Sequence, residues 1–164
     1  MPQPLMTVAD VMTRDVVTCR PEDTLNAAAR IMWEHDCGCV PVVDAQDRVI
    51  GMVTDRDICM AAYTQGTSLH AVQVASAMSR NVCACQPANP IGRAAEIMRT
   101  YQLRRLPVVD EHGLLIGMLS IGDLARHAKS ATRKGPKQVS RAEIADLLAA
   151  ISAPHGTVAA AALR

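Results

Sequence analysis

The 164-residue chain has no phenylalanine, and its aromatic faces are limited to Trp33, Tyr63 and Tyr101. Proteins that bind single-stranded nucleic acid stack bases on several such faces, so that class is excluded. No charge of one sign dominates either. Seventeen Lys and Arg stand against sixteen Asp and Glu, a net +1, which removes a whole-chain basic footprint and leaves only a local one. No run approaches the roughly 18 apolar residues that span a bilayer. The stretch from Met1 to Thr13 is interrupted by Pro2, Pro4 and Asp10 and lacks the apolar centre of a secretory signal. Six cysteines fall well below the density of a disulfide scaffold, about 8–10%. Without an export signal they are expected to be reduced thiols in a cytoplasmic protein. Nucleophile–base arrangements, Walker-type glycine loops and paired-carboxylate motifs are also missing, and Asp55 and Asp57 do not share a helix face. The expectation is a non-enzyme that requires no cofactor.

What remains is 49% hydrophobic and 20% charged, the balance of a folded domain. The apolar mass is Val, Ile, Leu, Ala and nine Met, suited to short strands and Ala-rich helices.

The chain is a duplication. A shift of 66 residues lays Val8–Ile58 on Val74–Leu124 without a gap, with 19 identities in 51 positions. Met12 falls on Met78, Arg14 on Arg80, Pro21 on Pro87 and Ile31-Met32 on Ile97-Met98. Pro41-Val42-Val43-Asp44 falls on Pro107-Val108-Val109-Asp110, Ile50-Gly51-Met52 on Ile116-Gly117-Met118, and Asp57 on Asp123. The repeats are assigned to 8–66 and 74–129, followed by a tail, 130–164.

Each copy reads as strand, helix, strand, strand, helix. Val16–Thr18 and Val82–Ala84 are short strands ended by Pro21 and Pro87. Thr24 caps a helix to about His35, and its counterpart starts at Pro90. Val40–Val43 and Leu106–Val109 are strands, turning at Asp44–Asp47 and Asp110–Gly113. Val49–Thr54 and Leu114–Ser120 are strands leading into helices from about Asp55 and Ile121. One such unit of about 50 residues is too small to be secure alone, so two copies are expected to pack sheet to sheet around a shared core.

These residues resemble a known family. Two copies of Met-Thr/Ser-Arg, a helix led by proline, Pro-Val-Val-Asp and Gly-Met-hydrophobic-Thr/Ser-x-x-Asp are similar to a CBS-domain pair, the cystathionine-β-synthase-type regulatory module. The resemblance covers about three quarters of the chain and is specific as a conjunction repeated in register. It implies an α/β (α+β) fold of two βαββα units in a pseudo-twofold disc, often dimerising with another. It also implies adenosyl ligands (AMP, ADP, ATP, NAD or S-adenosylmethionine) in clefts between the repeats, their occupancy passed to a partner domain or protein. The expected partners are therefore a small adenosyl ligand, a second copy and an unidentified effector protein, with no membrane and no nucleic acid.

Gly51–Asp57 and Gly117–Asp123 each pass from a strand into a helix. A helix start offers N–H groups and partial positive charge to a phosphate. A hydroxyl there (Thr54, Ser120) suits a phosphate or ribose oxygen, and a carboxylate three residues on (Asp57, Asp123) suits ribose hydroxyls. By resemblance these four are the ribose-phosphate contacts. The same spacing is a capping box, in which hydroxyl and carboxylate satisfy only the helix end. Thr18 is a weaker contact, since its twin is Ala84. Val42 and Val108 read mostly as core, or as an apolar wall for adenine.

The repeats differ before Pro-Val-Val-Asp. The second has Arg104-Arg105 where the first has Gly38-Cys39. By resemblance basic residues there bind phosphate, so the two clefts are expected to be unequal; the alternative is a solvated edge. Cys37-x-Cys39 and Cys83-x-Cys85, with Cys19 aligned on Cys85, open a second reading as a thiol or metal sensor, against ordinary buried cysteines. A third is a structural dimerisation module with empty clefts. The tail runs through Arg126, Lys129, Arg133, Lys134, Lys137 and Arg141 to Glu143. Ser140 and Glu143 form a capping box before Ile144, Leu147, Leu148 and Ile151, spaced as an amphipathic helix that docks on the module or a dimer mate. Nucleic-acid contact by the basic stretch is the alternative there, and Thr157–Arg164 is expected to fray.

Overall fold

The computed structural model describes residues 6–130 and 139–154. Arg133, Lys134, Lys137 and Thr157–Arg164 lie outside the described residues. The helices are α1 (Leu25–Glu34), α2 (Asp55–Gln65), α3 (Ile91–Tyr101), α4 (Ile121–Ser130) and α5 (Arg141–Ser152). The strands are β1 (Cys39–Val43), β2 (Val49–Thr54), β3 (Arg105–Val109) and β4 (Leu115–Ser120). They form two-stranded sheets, β1–β2 and β3–β4. The chain resolves into two compact units. One contains Thr13–Pro87 with Pro107–Met118; the other gathers, among the described residues, 6–12, 88–106, 119–130 and 139–154.

In the first unit β1 is buried along its whole length. Its sequence, Cys-Val-Pro-Val-Val, is apolar on both faces, as a strand covered on both sides must be. Val40, Val42 and Val53 meet Leu25, Ala28 and Met32 of α1 and Ile58 and Ala61 of α2 in one core. β1 and β2 are antiparallel, pairing Cys39 with Thr54 through Val42 with Gly51, before a bulge shifts Val43 onto Val49. The conserved-in-repeat aspartate closes each hairpin. Asp44 accepts from the N–H groups of Gln46 and Arg48 at 2.9 and 3.0 Å, and Asp110 from those of His112 and Leu114, both at 2.9 Å. An Asx side chain that replaces backbone partners in this way makes the turn local to its own sequence.

Each repeat is finished by the opening segment of the other. Met52 exchanges both backbone hydrogen bonds with Ser79, at 3.0 and 2.8 Å, and the twin pair Met118 and Thr13 does the same at 2.8 and 2.9 Å. The approach is close. A Cβ on Gly51 would stand 2.7 Å from Met78 Sδ and 3.1 Å from the Ser79 carbonyl oxygen, so a side chain there would have to displace Met78 or the Ser79 backbone.

Val16–Thr18 and Val82–Ala84 are not strands. Contact with the sheet narrows to single parallel bridges, Cys19 to Val42 and Cys85 to Val108. Cys19 N–H donates to Pro41 O at 3.1 Å and Val43 N–H to Cys19 O at 3.0 Å. The next rung in one direction needs an N–H from Pro41, and in the other an N–H from Pro21. Neither exists, so proline stops the ladder on both sides. Pro107 and Pro87 do the same in the second repeat.

In the second unit α5 packs on α3 and α4, burying Ile144, Leu147 and Ile151. Its capping box forms as expected, with Ser140 N–H on Glu143 Oε2 at 2.7 Å and Glu143 N–H on Ser140 Oγ at 3.2 Å. Gln102 closes the other end, its Nε2 donating to the carbonyls of Ala150 and Ala153 at 3.1 and 3.2 Å. Ala150 carries one of the last carbonyls of α5, which have no partner inside the helix, and Ala153 follows the helix end. No helix among the described residues is long and apolar enough to cross a membrane.

Candidate ligand-binding site

Both Thr/Ser-x-x-Asp segments lie where the sequence reading put them, between strand and helix, and both form complete capping boxes. In the first unit Thr54 N–H and Oγ1–H donate to Asp57 Oδ2 at 2.8 and 2.7 Å, and Asp57 N–H returns to Thr54 Oγ1 at 3.2 Å. In the second unit Ser120 N–H and Oγ–H donate to Asp123 Oδ2 at 2.8 and 2.6 Å, and Asp123 N–H returns to Ser120 Oγ at 3.1 Å. The helix-capping reading is thus realised, and each box contributes about 1 kcal/mol. It leaves the other carboxylate oxygen, Oδ1, outside the hydrogen bonds of the box.

The surroundings of the two boxes differ. At α2, Asp55 N–H donates to Gly38 O at 3.2 Å and Arg56 N–H to Asp55 Oδ1 at 2.7 Å. With Asp57 N–H in the box, the first three N–H groups of α2 have protein partners, and Asp55 sets a carboxylate where an anion would come. At α4, Ile121 N–H donates to Arg104 O at 2.9 Å, which fixes Arg104 beside the Ser120 box. Arg104 and Arg105 are both exposed, one just before β3 and the other its first residue. Ile121 supplies no acceptor like Asp55. Arg126, a residue the sequence reading assigned only to a basic stretch, forms an ion pair with Asp123 Oδ1. Its three-residue spacing from Asp123 on one helix was the signal available for it.

The remaining expected contacts are less open. Thr18 is half-buried next to the Cys19 bridge. Val42 and Val108 are wholly buried, so their side chains belong to the core. Cys19, Cys39 and Cys85 are buried, Cys37 and Cys83 half-buried and Cys59 exposed, all as free thiols. Only Cys39 of the two Cys-x-Cys pairs lies in a strand, so the pairs do not present two sulfurs on one strand face. Cys19 and Cys85 direct Sγ at the carbonyls of Pro41 and Pro107, each at 3.9 Å. Burial pushes their thiols up to about 12 and about 11, with the charge of Asp23 adding to the rise at Cys19. A thiolate metal ligand or redox nucleophile needs the opposite shift. Among the described residues no three His, Cys, Asp or Glu side chains converge as metal ligands would.

Comparison with known proteins follows the same lines. The sequence profile of the CBS domain matches residues 8–63 and 74–130. The chain belongs to the CBS-domain family. The CBS domain-containing protein YhcV of Bacillus subtilis is 36% identical over 131 residues, covering 80% of this chain and 91% of YhcV. Hypoxic response protein 1 of Mycobacterium tuberculosis is 36% identical over 124 residues, 75% of this chain and 85% of that one. Among solved structures, a CBS-domain pair in complex with 5′-methylthioadenosine and S-adenosyl-L-methionine superposes with TM-score 0.69 at 25% identity, over 75% of this chain and 95% of that one. CBSX2 in complex with AMP gives 0.67 at 27%, over 75% and 96%. Hypoxic Response Protein I with two coordinated zinc ions gives 0.68 at 32%, over 74% and 98%. The fold is that of a CBS-domain pair, a regulatory module.

Proposed function

We propose that this CBS-domain pair binds adenosyl ligands (AMP, ADP, ATP or NAD) against the starts of α2 and α4, and that occupancy is passed to a partner protein without catalysis. The observation that carries this reading is the paired box itself. In each copy Oδ2 of the aspartate takes the cap donors, which leaves Oδ1 outside the cap with capacity to accept from ribose hydroxyls. A single residue can therefore cap its helix and bind a sugar. Related CBS pairs hold AMP and S-adenosyl-L-methionine, which supports the ligand class. Arg104 and Arg105 supply phosphate donors, since guanidinium groups match phosphate oxygens with a planar fork. Association with a second copy belongs to the same reading. It is supported by Trp33 on α1 and Tyr63 on α2, which stand 88% and 82% exposed, large apolar surfaces that association would cover.

Calorimetric titration of the full chain with AMP, ADP, ATP and NAD tests the ligand reading. Saturable binding of at least one of them below millimolar concentration is expected. Absence of heat and of thermal stabilisation with all four at that level removes it.

A further inference from the structure

The two boxes are alike in backbone and unlike in what reaches the free carboxylate oxygen. Each oxygen of a carboxylate can accept two hydrogen bonds. In both boxes Oδ2 already has two donors, the N–H and O–H of Thr54 or Ser120. At Asp57 no donor among the described residues reaches Oδ1, so both hydroxyls of a ribose diol can be accepted there. At Asp123 the Oδ1 already holds the Arg126 guanidinium. A diol then finds one acceptor position instead of two.

Arg126 is free to leave. Its side chain is 74% exposed while that of Asp123 is 9% exposed. Arg126 folds back over the helix start, where a Cβ on Gly122 would stand in ordinary contact with it, 3.4 Å from Arg126 Nη1 and 3.5 Å from Ser120 Oγ. The first repeat has no equivalent, because the residue 66 positions earlier is Met60. Local charge points the same way. At the start of α2, Asp55 and Asp57 outnumber Arg56; at the start of α4, Arg104, Arg105 and Arg126 outnumber Asp123.

We propose that Arg126 is a specificity-determining residue: it blocks the acceptor of Asp123 against an uncharged nucleoside and releases it to a nucleotide whose phosphate draws the guanidinium away. The α4 site is then selective for phosphorylated adenosyl ligands, and the α2 site accepts adenosyl ligands without a phosphate. This rests on the adenosyl-ligand reading above. The energetics are those of exchange. An uncharged nucleoside breaks a charge-assisted pair and returns nothing to the arginine, whereas a phosphate replaces one anionic partner with another.

The test uses the full chain carrying Asp57→Ala, which leaves the α4 site to be read alone, with and without Arg126→Met, the residue found at the twin position. AMP, adenosine and inorganic phosphate are titrated into each. With Arg126 present, AMP is expected to bind about tenfold or more tightly than adenosine, the scale of one charge-assisted hydrogen bond. In Arg126→Met adenosine tightens, AMP weakens and the ratio falls toward unity; Arg126→Lys, which keeps the charge, retains part of it. Arg126 is exposed, and unchanged thermal unfolding verifies that the variants fold. An AMP-to-adenosine ratio unaffected by Arg126→Met, with AMP still bound, overturns the proposal. So does inorganic phosphate binding as tightly as AMP, which would mark a bare anion site. No binding of AMP or adenosine by the unmutated chain overturns the underlying adenosyl reading instead, a result separable from the other two.

Discussion

At the scale of single residues, Asp57, Asp123 and the buried thiols behave as their contacts require. The four residues Thr54, Asp57, Ser120 and Asp123 were legible in the sequence because a capping box is written in local spacing. The ion pair of Asp123 with Arg126 was missed although its i,i+3 spacing carried it, because Arg126 falls outside the motif that identifies the repeats. Burial holds Cys19 and Cys85 at 2% and 3% exposure, so their thiols are raised in the folded chain from 9.0 to about 12 and about 11. A raised thiol means that the folded state retains its proton after the unfolded state has lost it. Their contribution to stability is therefore fully present below about pH 9 and is lost as pH rises through 11 to 12. Denaturant unfolding in that alkaline window is expected to show stability falling with pH, less steeply in Cys19→Ala/Cys85→Ala compared with its own neutral-pH value. In thiol titration near pH 8, Cys59 is expected to react first, with Cys19 and Cys85 reacting only on unfolding. Rapid labelling of the two buried thiols in the native protein contradicts this and restores the redox reading.

At the scale of elements, hydrophobic pattern and turn chemistry located the starts of α1 to α5 and both ends of four strands to within a residue or so. They failed at Val16–Thr18 and Val82–Ala84. The apolar residues there suit strands, but a ladder also needs N–H donors on its neighbour, and Pro41 and Pro107 remove them. The close crossing at Gly51 was equally hidden, because it depends on a segment twenty-eight residues away, Ser79. Gly51→Ala is expected to destabilise by about 1–3 kcal/mol, the range for overpacking a tight contact, measured by denaturant unfolding. No change would mean that Met78 and Ser79 yield freely. Leu147 on α5 is fully buried, and Leu147→Ala is expected to cost about 2–5 kcal/mol. A loss under half a kilocalorie would show that α5 is not held on α3 and α4.

At the scale of the whole molecule, the duplication was the most legible feature, and the family follows from it. What the repeat comparison alone could not reveal is that each copy borrows from the other. Met52 is paired by Ser79, and Met118 by Thr13. Neither repeat carries its own partner for the second edge of β2 or β4, a physical reason why one copy is insufficient. Separated repeats, 8–66 and 74–129, are expected to unfold at lower temperature than the intact chain; equal stability would deny the borrowed pairing any weight. Association between copies is expected to appear in sedimentation as a concentration-dependent shift that Trp33→Ala and Tyr63→Ala reduce, and a monomer at all concentrations contradicts it.

The most direct measurement is AMP titration of the wild-type chain beside the double variant Asp57→Ala/Asp123→Ala, with thermal unfolding followed in parallel. Binding by the wild type is expected to weaken by about 1–3 kcal/mol for each aspartate lost, the value of hydrogen bonds to a charged group, beyond any change in unfolding. If the double variant is destabilised yet binds AMP as the wild type does, the two aspartates are caps alone and hold no ligand.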